Sequence, residues 1–263
     1  VTATPPAPPP RPGDSYVQSF ARGLEVIRSF SADAPRQTLT EVAQRAGLTR
    51  AGARRILLTL QALGYVESDG RLFSLTPRIL DLGFAYLSSM PMWNLAEPVM
   101  EDLVERVKES CSAAVLEGRD IVYVLRVPTH KIMKINLGVG SRLPACFTAL
   151  GRVLLASLPD EEVEARLHAT PRAALTRHTV TEVPGLLARI RQAREQGWCL
   201  LDQELEEGLV SIAAPIVDRR GQTIAALNLS AQVNRIGVDA MQQQMLPLLR
   251  AATAAISQRL QAR

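Results

Sequence analysis

Cysteine is scarce in this sequence: Cys111, Cys146 and Cys199 are widely separated and odd in number among 263 residues. That excludes a disulfide framework and fits a reducing cytoplasm. The expected role of the three thiols is that of small core residues. Histidine is equally rare, and His130, His168 and His178 show no ligand-like spacing with the cysteines, so no metal is expected. No run of about 18 apolar residues occurs, so no membrane span is expected. The opening "VTATPPAPPPRPGD" lacks the apolar core of a signal peptide and reads as a flexible, partly polyproline-like tail over residues 1–14. Catalytic signatures are missing too. There is no Gly-x-Ser-x-Gly elbow, and Gly138 and Gly140 form a lone Gly-x-Gly, read as a turn. The adjacent acids Glu161-Glu162 and Glu206-Glu207 sit at helix starts and turns, where such pairs are solvated. No enzyme activity and no cofactor are expected.

What is present is an ample core and an uneven charge. Hydrophobic residues make up 47% of the chain, and the net charge is +4. Residues 15–90 hold nine arginines against six acids, while residues 91–263 hold twenty basic and nineteen acidic residues. The excess cation lies in the first folded third, which points to a polyanionic partner for that part alone.

That third carries an ordered set of signals. In residues 15–31, Val17, Phe20, Leu24, Ile27 and Phe30 recur at helical spacing. Thr38 with Glu41 three residues on forms a capping box for a short helix that stops at Gly47. Thr49 caps a further helix to about Leu63, and two helices joined by a glycine-containing turn match a helix-turn-helix. Two short alternating strands then flank Asp69-Gly70, a strong hairpin signal. Three helices and a hairpin make a winged helix-turn-helix over residues 15–77.

On a helical wheel, Ala53, Ile56, Leu60 and Leu63 share one face of the second motif helix, while Arg50, Ala51, Arg54 and Arg55 share the opposite face. The arginines fall in the N-terminal half, the part of a recognition helix that meets base edges in the major groove. Arginine suits that place, since its planar fork donates two bonds to guanine or to phosphate. Thr49 is a further polar candidate, and Arg71 on the wing is placed to reach the DNA backbone. A merely solvated arginine face is the competing reading, weakened by the order of cap, turn, arginine helix and wing. Leu58 also falls outward, with no partner assigned.

Residues 78–95 read as an apolar linker helix broken near Pro91, with a new helix from about Glu97. Residues 96–263 mix elements: a hairpin over 111–127 turned at 118–120, a strand at 131–138, helices at 148–158, from Pro159 and up to Gly197, then strands at "WCLLD", "LVSIAAPIVD" and "TIAALNLS" and a helix from about Val238. Antiparallel strands with helices at their ends indicate an α+β fold.

The stretches "SFARGLEVIRSF", "LTEVAQRAGLTRAGARRILLTLQALGYV", "GVGSRLPACFTALGRVLLASLPDEEVE" and "DQELEEGLVSIAAPIVDRRGQTIAALNLS" resemble IclR-type transcriptional regulators, and "DGRLFSLTPRILDLGFAYLSSMPMW" resembles the branch controlling protocatechuate and 4-hydroxybenzoate catabolism. The resemblance covers nearly all of the chain after the tail. It implies an N-terminal winged helix-turn-helix binding operator DNA, a linker helix, and a GAF-like effector domain, an antiparallel sheet flanked by helices, that binds a small organic acid. It also implies a homodimer or homotetramer in the cytoplasm, associated with the nucleoid. Family ligand contacts carry over to Ala149 and Leu150, at a helix start that Thr148 opens, and to Ser211, Asn228 and Ser230. Free N–H groups at that helix start are suited to a carboxylate. Asn228 and Ser230 share one strand face, and a bound acid would supply the partners they need. Arg142 is a candidate carboxylate clamp and Glu204 a candidate acceptor for a phenolic hydroxyl, with structural ion pairing the competing role of each. An acidic ligand position of the family aligns with Leu201, an apolar change that favours an aromatic ring such as protocatechuate or 4-hydroxybenzoate over glyoxylate or pyruvate; a ketoadipate-like diacid is the other candidate. The competing reading is a ligand-independent, architectural DNA-binding protein whose C-terminal domain only oligomerises.

Overall fold

The computed structural model describes residues 13, 15–89, 92–129 and 137–261. The expected tail apart from Gly13, and most of the strand expected at 131–138, lie outside them; Leu137 and Gly138 are coil. The chain divides into two compact units, residues 1–86 and 87–263.

The first unit runs α1 (Gln18–Arg28), β1 (Arg36–Thr38), α2 (Leu39–Arg45), α3 (Arg50–Ala62), β2 (Val66–Ser68), β3 (Leu72–Leu75) and the apolar helix α4 (Leu80–Ser89), which crosses the division between the units. The capping box is formed: Thr38 Oγ1 accepts from Glu41 N–H, and the Glu41 carboxylate accepts from Thr38 N–H at 2.7 Å. The bonds that Thr38 donates to this carboxylate, from its N–H foremost and from its hydroxyl, hold the Glu41 carboxyl below its ordinary range. Val26, Val42, Ala43, Ala53, Leu57, Leu60 and Val66 form the core of this unit.

Three expectations need correction here. On α1, Val26 is the fully buried residue, with the expected Ile27 and Phe30 packed against the same core, whereas the expected Val17 and Phe20 are 63% and 69% exposed. On α3, fully buried Leu57 takes the place expected of Leu63, which stands beyond the last helical turn and is exposed. The wing has three strands, in the order β1-β3-β2, because Arg36–Thr38 pairs with β3 just before α2 begins.

The second unit contains α5 (Met92–Val107), β4 (Ser110–Glu117), β5 (Asp120–Val127), β6 (Arg142–Pro144), α6 (Ala149–Leu155), α7 (Asp160–Ala169), α8 (Val183–Gln196), β7 (Cys199–Asp202), β8 (Leu209–Val217), β9 (Thr223–Gln232) and α9 (Leu246–Gln261), the last preceded by a π-helical turn at Met241–Met245. Six strands form one antiparallel sheet in the order β6-β5-β4-β9-β8-β7. The fold is α+β. One sheet face packs on α6 and α8 through Phe147, Leu150, Leu155, Leu186 and Ile190. The other packs on α5 and α9 through Met100, Leu103, Leu227, Leu249 and Ile256.

Helix α5 starts at Met92 rather than near Glu97 and carries Pro98 inside it. An internal proline costs about 3 kcal/mol. Burial of Met92, Trp93 and Ala96 in the sheet core offsets that cost, since fully burying a large apolar side chain contributes about 1.5–3 kcal/mol. Gly197 closes α8 in the left-handed conformation at φ 75°, as a C-terminal glycine does.

Candidate functional sites

The first site is the outer face of α3. Thr49 Oγ1 accepts from Gly52 N–H at 3.1 Å and so opens the helix. Arg50, Ala51, Arg54 and Arg55 are all exposed along its first half. Among the described residues none of these arginines forms an ion pair. The wing turn is held by side-chain bonds: Asp69 Oδ1 accepts from Leu72 N–H at 2.8 Å and from Arg71 N–H at 3.0 Å, and Arg36 donates to Asp69 Oδ2 at 2.6 Å. The backbone bonds to Leu72 and Arg71 hold the Asp69 carboxyl below its usual range. Arg71 stands exposed on this turn. A fixed, unneutralised arginine face with a flanking wing is suited to the phosphates and base edges of a duplex. Leu58 is 43% exposed, and the structure assigns it no partner.

The second site is a cavity on the α6 face of the six-stranded sheet. Strand register builds its floor in rows. Arg126 of β5 stands opposite Ser112 of β4, which stands opposite Asn228 of β9. In the next row Ser110 of β4, Ser230 of β9, Ser211 of β8 and Leu201 of β7 follow one another. All seven line the cavity, with Thr148, Ala149, Leu150 and Glu204. Ser211, Asn228 and Ser230 bond one another: Asn228 Nδ2 donates to Ser230 Oγ at 2.9 Å and to Ser211 Oγ at 3.1 Å, and Ser230 Oγ lies 3.0 Å from Ser211 Oγ. Asn228 Oδ1 accepts from Ser112 N–H at 3.2 Å. The expectation that Asn228 and Ser230 need a ligand to be satisfied is therefore corrected: the β8–β9 pairing supplies Ser211 as the partner.

Thr148 Oγ1 accepts from Gly151 N–H at 2.9 Å and caps α6. The Ala149 and Leu150 side chains are buried at the cavity wall. Leu201, 3% exposed, adds an apolar wall on the β7 side. Arg142 does not line this cavity. It sits on the edge strand β6 and is engaged by Glu117 and by Asp120, whose Oδ2 lies 3.3 Å from its guanidinium. For Glu204 the structure bears out the competing structural role, an ion pair. It lines the cavity, and it is also paired with buried Arg152 through bonds of 2.9 and 2.5 Å.

Sequence reading missed Tyr123 and Arg126, which also line the cavity. In a regular strand, residues three apart face opposite sides. Here the β4–β5 register slips between Ala113 and Ala114, leaving Val124 as an extra residue and bringing both side chains to the cavity face. Burial pushes the Tyr123 hydroxyl up to about 12, so it stays protonated at neutral pH. Arg126 forms no ion pair among the described residues. The three thiols are buried, and desolvation pushes Cys146 and Cys199 up to about 11 and Cys111 higher still, so they are inert core groups.

An arginine-faced winged helix-turn-helix, joined in one chain to an α+β unit with an internal polar-floored cavity, defines a DNA-binding transcriptional regulator. The chain belongs to the IclR family: residues 19–70 match the IclR helix-turn-helix domain, and residues 84–258 match the bacterial transcriptional regulator IclR C-terminal domain. It is 43% identical to the Pca regulon regulatory protein of Pseudomonas putida over 90% of this chain and 82% of that one. It is 35% identical to the p-hydroxybenzoate hydroxylase transcriptional activator of Acinetobacter baylyi, over 90% and 89% of the two chains. It superposes with a TM-score of 0.81 and 26% identity on an IclR homolog from Microbacterium hydrocarbonoxydans complexed with 4-hydroxybenzoate, covering 93% of this chain and all of that one. The relatives from Pseudomonas putida and Acinetobacter baylyi are named as regulators and not as enzymes. No described helix is long and apolar enough to cross a membrane.

Proposed function

We propose that this protein regulates genes of aromatic-acid catabolism, reading operator DNA through α3 and the wing and sensing a small aromatic acid in the cavity of the second unit. The observation that carries the sensing half is the cavity itself. Apolar Leu150 on α6 faces a sheet floor of serines, Asn228 and Arg126 that Leu201 closes on the β7 side, a lining that suits a ring bearing polar substituents. The regulator from Pseudomonas putida and the 4-hydroxybenzoate complex from Microbacterium hydrocarbonoxydans support the same reading. DNA contacts fall to Thr49, Arg50, Ala51, Arg54, Arg55 and Arg71. Ligand contacts fall to Thr148, Ala149, Leu150, Leu201, Glu204, Ser211, Asn228 and Ser230.

In this reading residues 15–77 bind DNA, 78–95 link, and 96–263 sense. The protein works in the cytoplasm at the nucleoid, as a homodimer or homotetramer. Helix α4 supports the oligomer: it buries no residue, and Leu80 and Phe84 are 70% and 68% exposed. A helix so apolar needs cover, and a second copy of the chain supplies it. Ligand binding acts on DNA affinity only as far as the ligand prefers one arrangement of the oligomer.

The test is a melting-temperature panel on the full chain with 4-hydroxybenzoate, protocatechuate, β-ketoadipate, glyoxylate and pyruvate. A ligand at 100 times its Kd stabilises by about 2.7 kcal/mol. Selective stabilisation by an aromatic acid is expected; a flat panel on folded protein removes the sensor reading and favours the architectural one.

A further inference from the structure

The outer face of α3 is not uniformly cationic. At about 100° per residue, Ala51, Leu58 and Ala62 fall within about 40° of one another, opposite the buried Ala53, Leu57 and Leu60. All three are exposed, Leu58 by 43%. They form an apolar seam down the middle of that face, with Arg50 and Arg54 on one side of it and Arg55 on the other. Thr59, next to Leu58, spends its hydroxyl proton on Arg55 O at 2.9 Å, so the third turn presents carbon outward. A single exposed leucine is ordinary on a protein surface. This one stands one turn beyond Arg54, about 6 Å further along the axis, and so continues the row that starts in the N-terminal half of the helix.

We infer that Leu58 is a specificity-determining residue that reads thymine through its C5-methyl group, while Arg54 and Arg55 on its flanks take phosphates and hydrogen-bonding base edges. This rests on α3 being the DNA-reading helix, and goes beyond that reading by naming a residue and the base it selects. A hydrocarbon side chain pressed against the edge of guanine, adenine or cytosine takes water from donors and acceptors and returns no bond, an unfavourable exchange. Thymine is the base that presents a methyl group in the major groove. Contact between that methyl and Leu58 buries apolar surface on both sides. A protein partner fits this face worse. Helix α3 carries no acidic side chain, and its exposed arginines form no ion pair among the described residues. A second α3 laid along the seam would set arginine against arginine, whereas a duplex brings phosphates to both flanks.

The test starts by letting the full-length protein select its preferred duplex from a random-sequence pool. Thymidine in that duplex is then replaced by deoxyuridine one position at a time, a change that removes only the methyl group. Affinities are read by fluorescence anisotropy for the unchanged chain and for Leu58→Ala. The site is exposed and alanine is a good helix former, so this variant should keep the melting temperature of the unchanged chain. On the unchanged chain at least one replacement should weaken binding roughly fourfold, the worth of one buried methyl or methylene group. Leu58→Ala should bring the cost of that same replacement close to nothing. A replacement that costs the same in both proteins, or a selected duplex in which no replacement costs anything, overturns the inference and leaves α3 as the DNA-reading helix. A Leu58→Ala chain that loses its oligomeric state in sedimentation while keeping the deoxyuridine penalty overturns it too, in favour of a protein contact. No sequence enriched by folded, unchanged protein overturns the inference together with the DNA reading beneath it.

Discussion

Arg152 and Glu204, 52 positions apart in sequence, form a two-bond ion pair in which Arg152 is 1% exposed and Glu204 8%. The pair joins α6 to the segment after β7, so it ties the helix wall of the cavity to its far end. Removing one partner of such a pair strands a buried charge, at a cost of about 3–5 kcal/mol. Arg152→Met should therefore lower the free energy of unfolding by roughly that amount, read by urea denaturation. The double variant Arg152→Met with Glu204→Leu should recover most of the loss. An additive double variant would show that the two residues do not act as a pair.

Gly151 sits where α6 crosses the turn before it. A Cβ there would lie 2.1 Å from Ala145 O and 2.4 Å from Ala145 Cα, and both are backbone atoms. Gly151→Ala should force α6 away from that turn, costing at least the roughly 1–3 kcal/mol typical of overpacking. Affinity for the effector should fall with it, because Ala149 and Leu150 are in the same turn of helix. Retained stability and affinity would mean that α6 has room to shift.

On the proposed DNA-reading face, Arg54→Ala should leave the fold intact, since the side chain is exposed. Loss of a bidentate base contact costs about 1–3 kcal/mol of discrimination, while loss of a phosphate contact weakens all sequences alike and flattens the salt dependence. Fluorescence anisotropy on operator and scrambled duplexes across a salt series separates the two. Unchanged binding to both would remove Arg54 from the interface.

The α7–α8 junction carries a pH dependence. Asp160 accepts from Arg194 at 2.7 Å and from Arg191 at 2.7 Å, and these bonds, that of Arg194 foremost, hold its carboxyl below the usual range. A depressed carboxyl contributes stability above its unfolded pKa, near 4, and loses it as pH falls through the lower folded value. Asp160→Asn should lower the melting temperature near neutral pH and reduce its fall between about pH 5 and 3. An identical profile in the variant would assign that acid sensitivity to other groups, Asp69 and Glu41 among them.

Much of this fold was legible because its signals are local. The Thr38–Glu41 capping box, the Thr49 cap, the Asp69-Gly70 turn and the glycine at 197 each depend on residues within a few positions of one another, so a sequence displays them directly. The exposed arginine face of α3 follows from helical period alone. So does the sharing of one strand face by Asn228 and Ser230. The apolar character of Leu201 was readable too, once the family resemblance placed it at a ligand position.

Tertiary structure decided the rest, for reasons of long-range pairing and burial. Strand β1 exists because β3 lies beside it, and α5 begins at Met92 because Trp93 and its neighbours find a sheet to pack on, against the preference of Pro98. Leu57 falls on the same wheel face as Ala53 and Leu60, while Leu63 leaves the core because α3 ends at Ala62. Arg126 reaches the cavity only because the β4–β5 register slips at Val124, and Arg142 is drawn away from that role by Glu117 and Asp120. The sequence by itself determined the elements bounded by local signals, such as α2, α3, the Asp69-Gly70 turn and the end of α8, since caps, turns and periods are short-range. Which charges face the cavity, and at which end, was decided by strand register and ion pairing between segments distant in the chain.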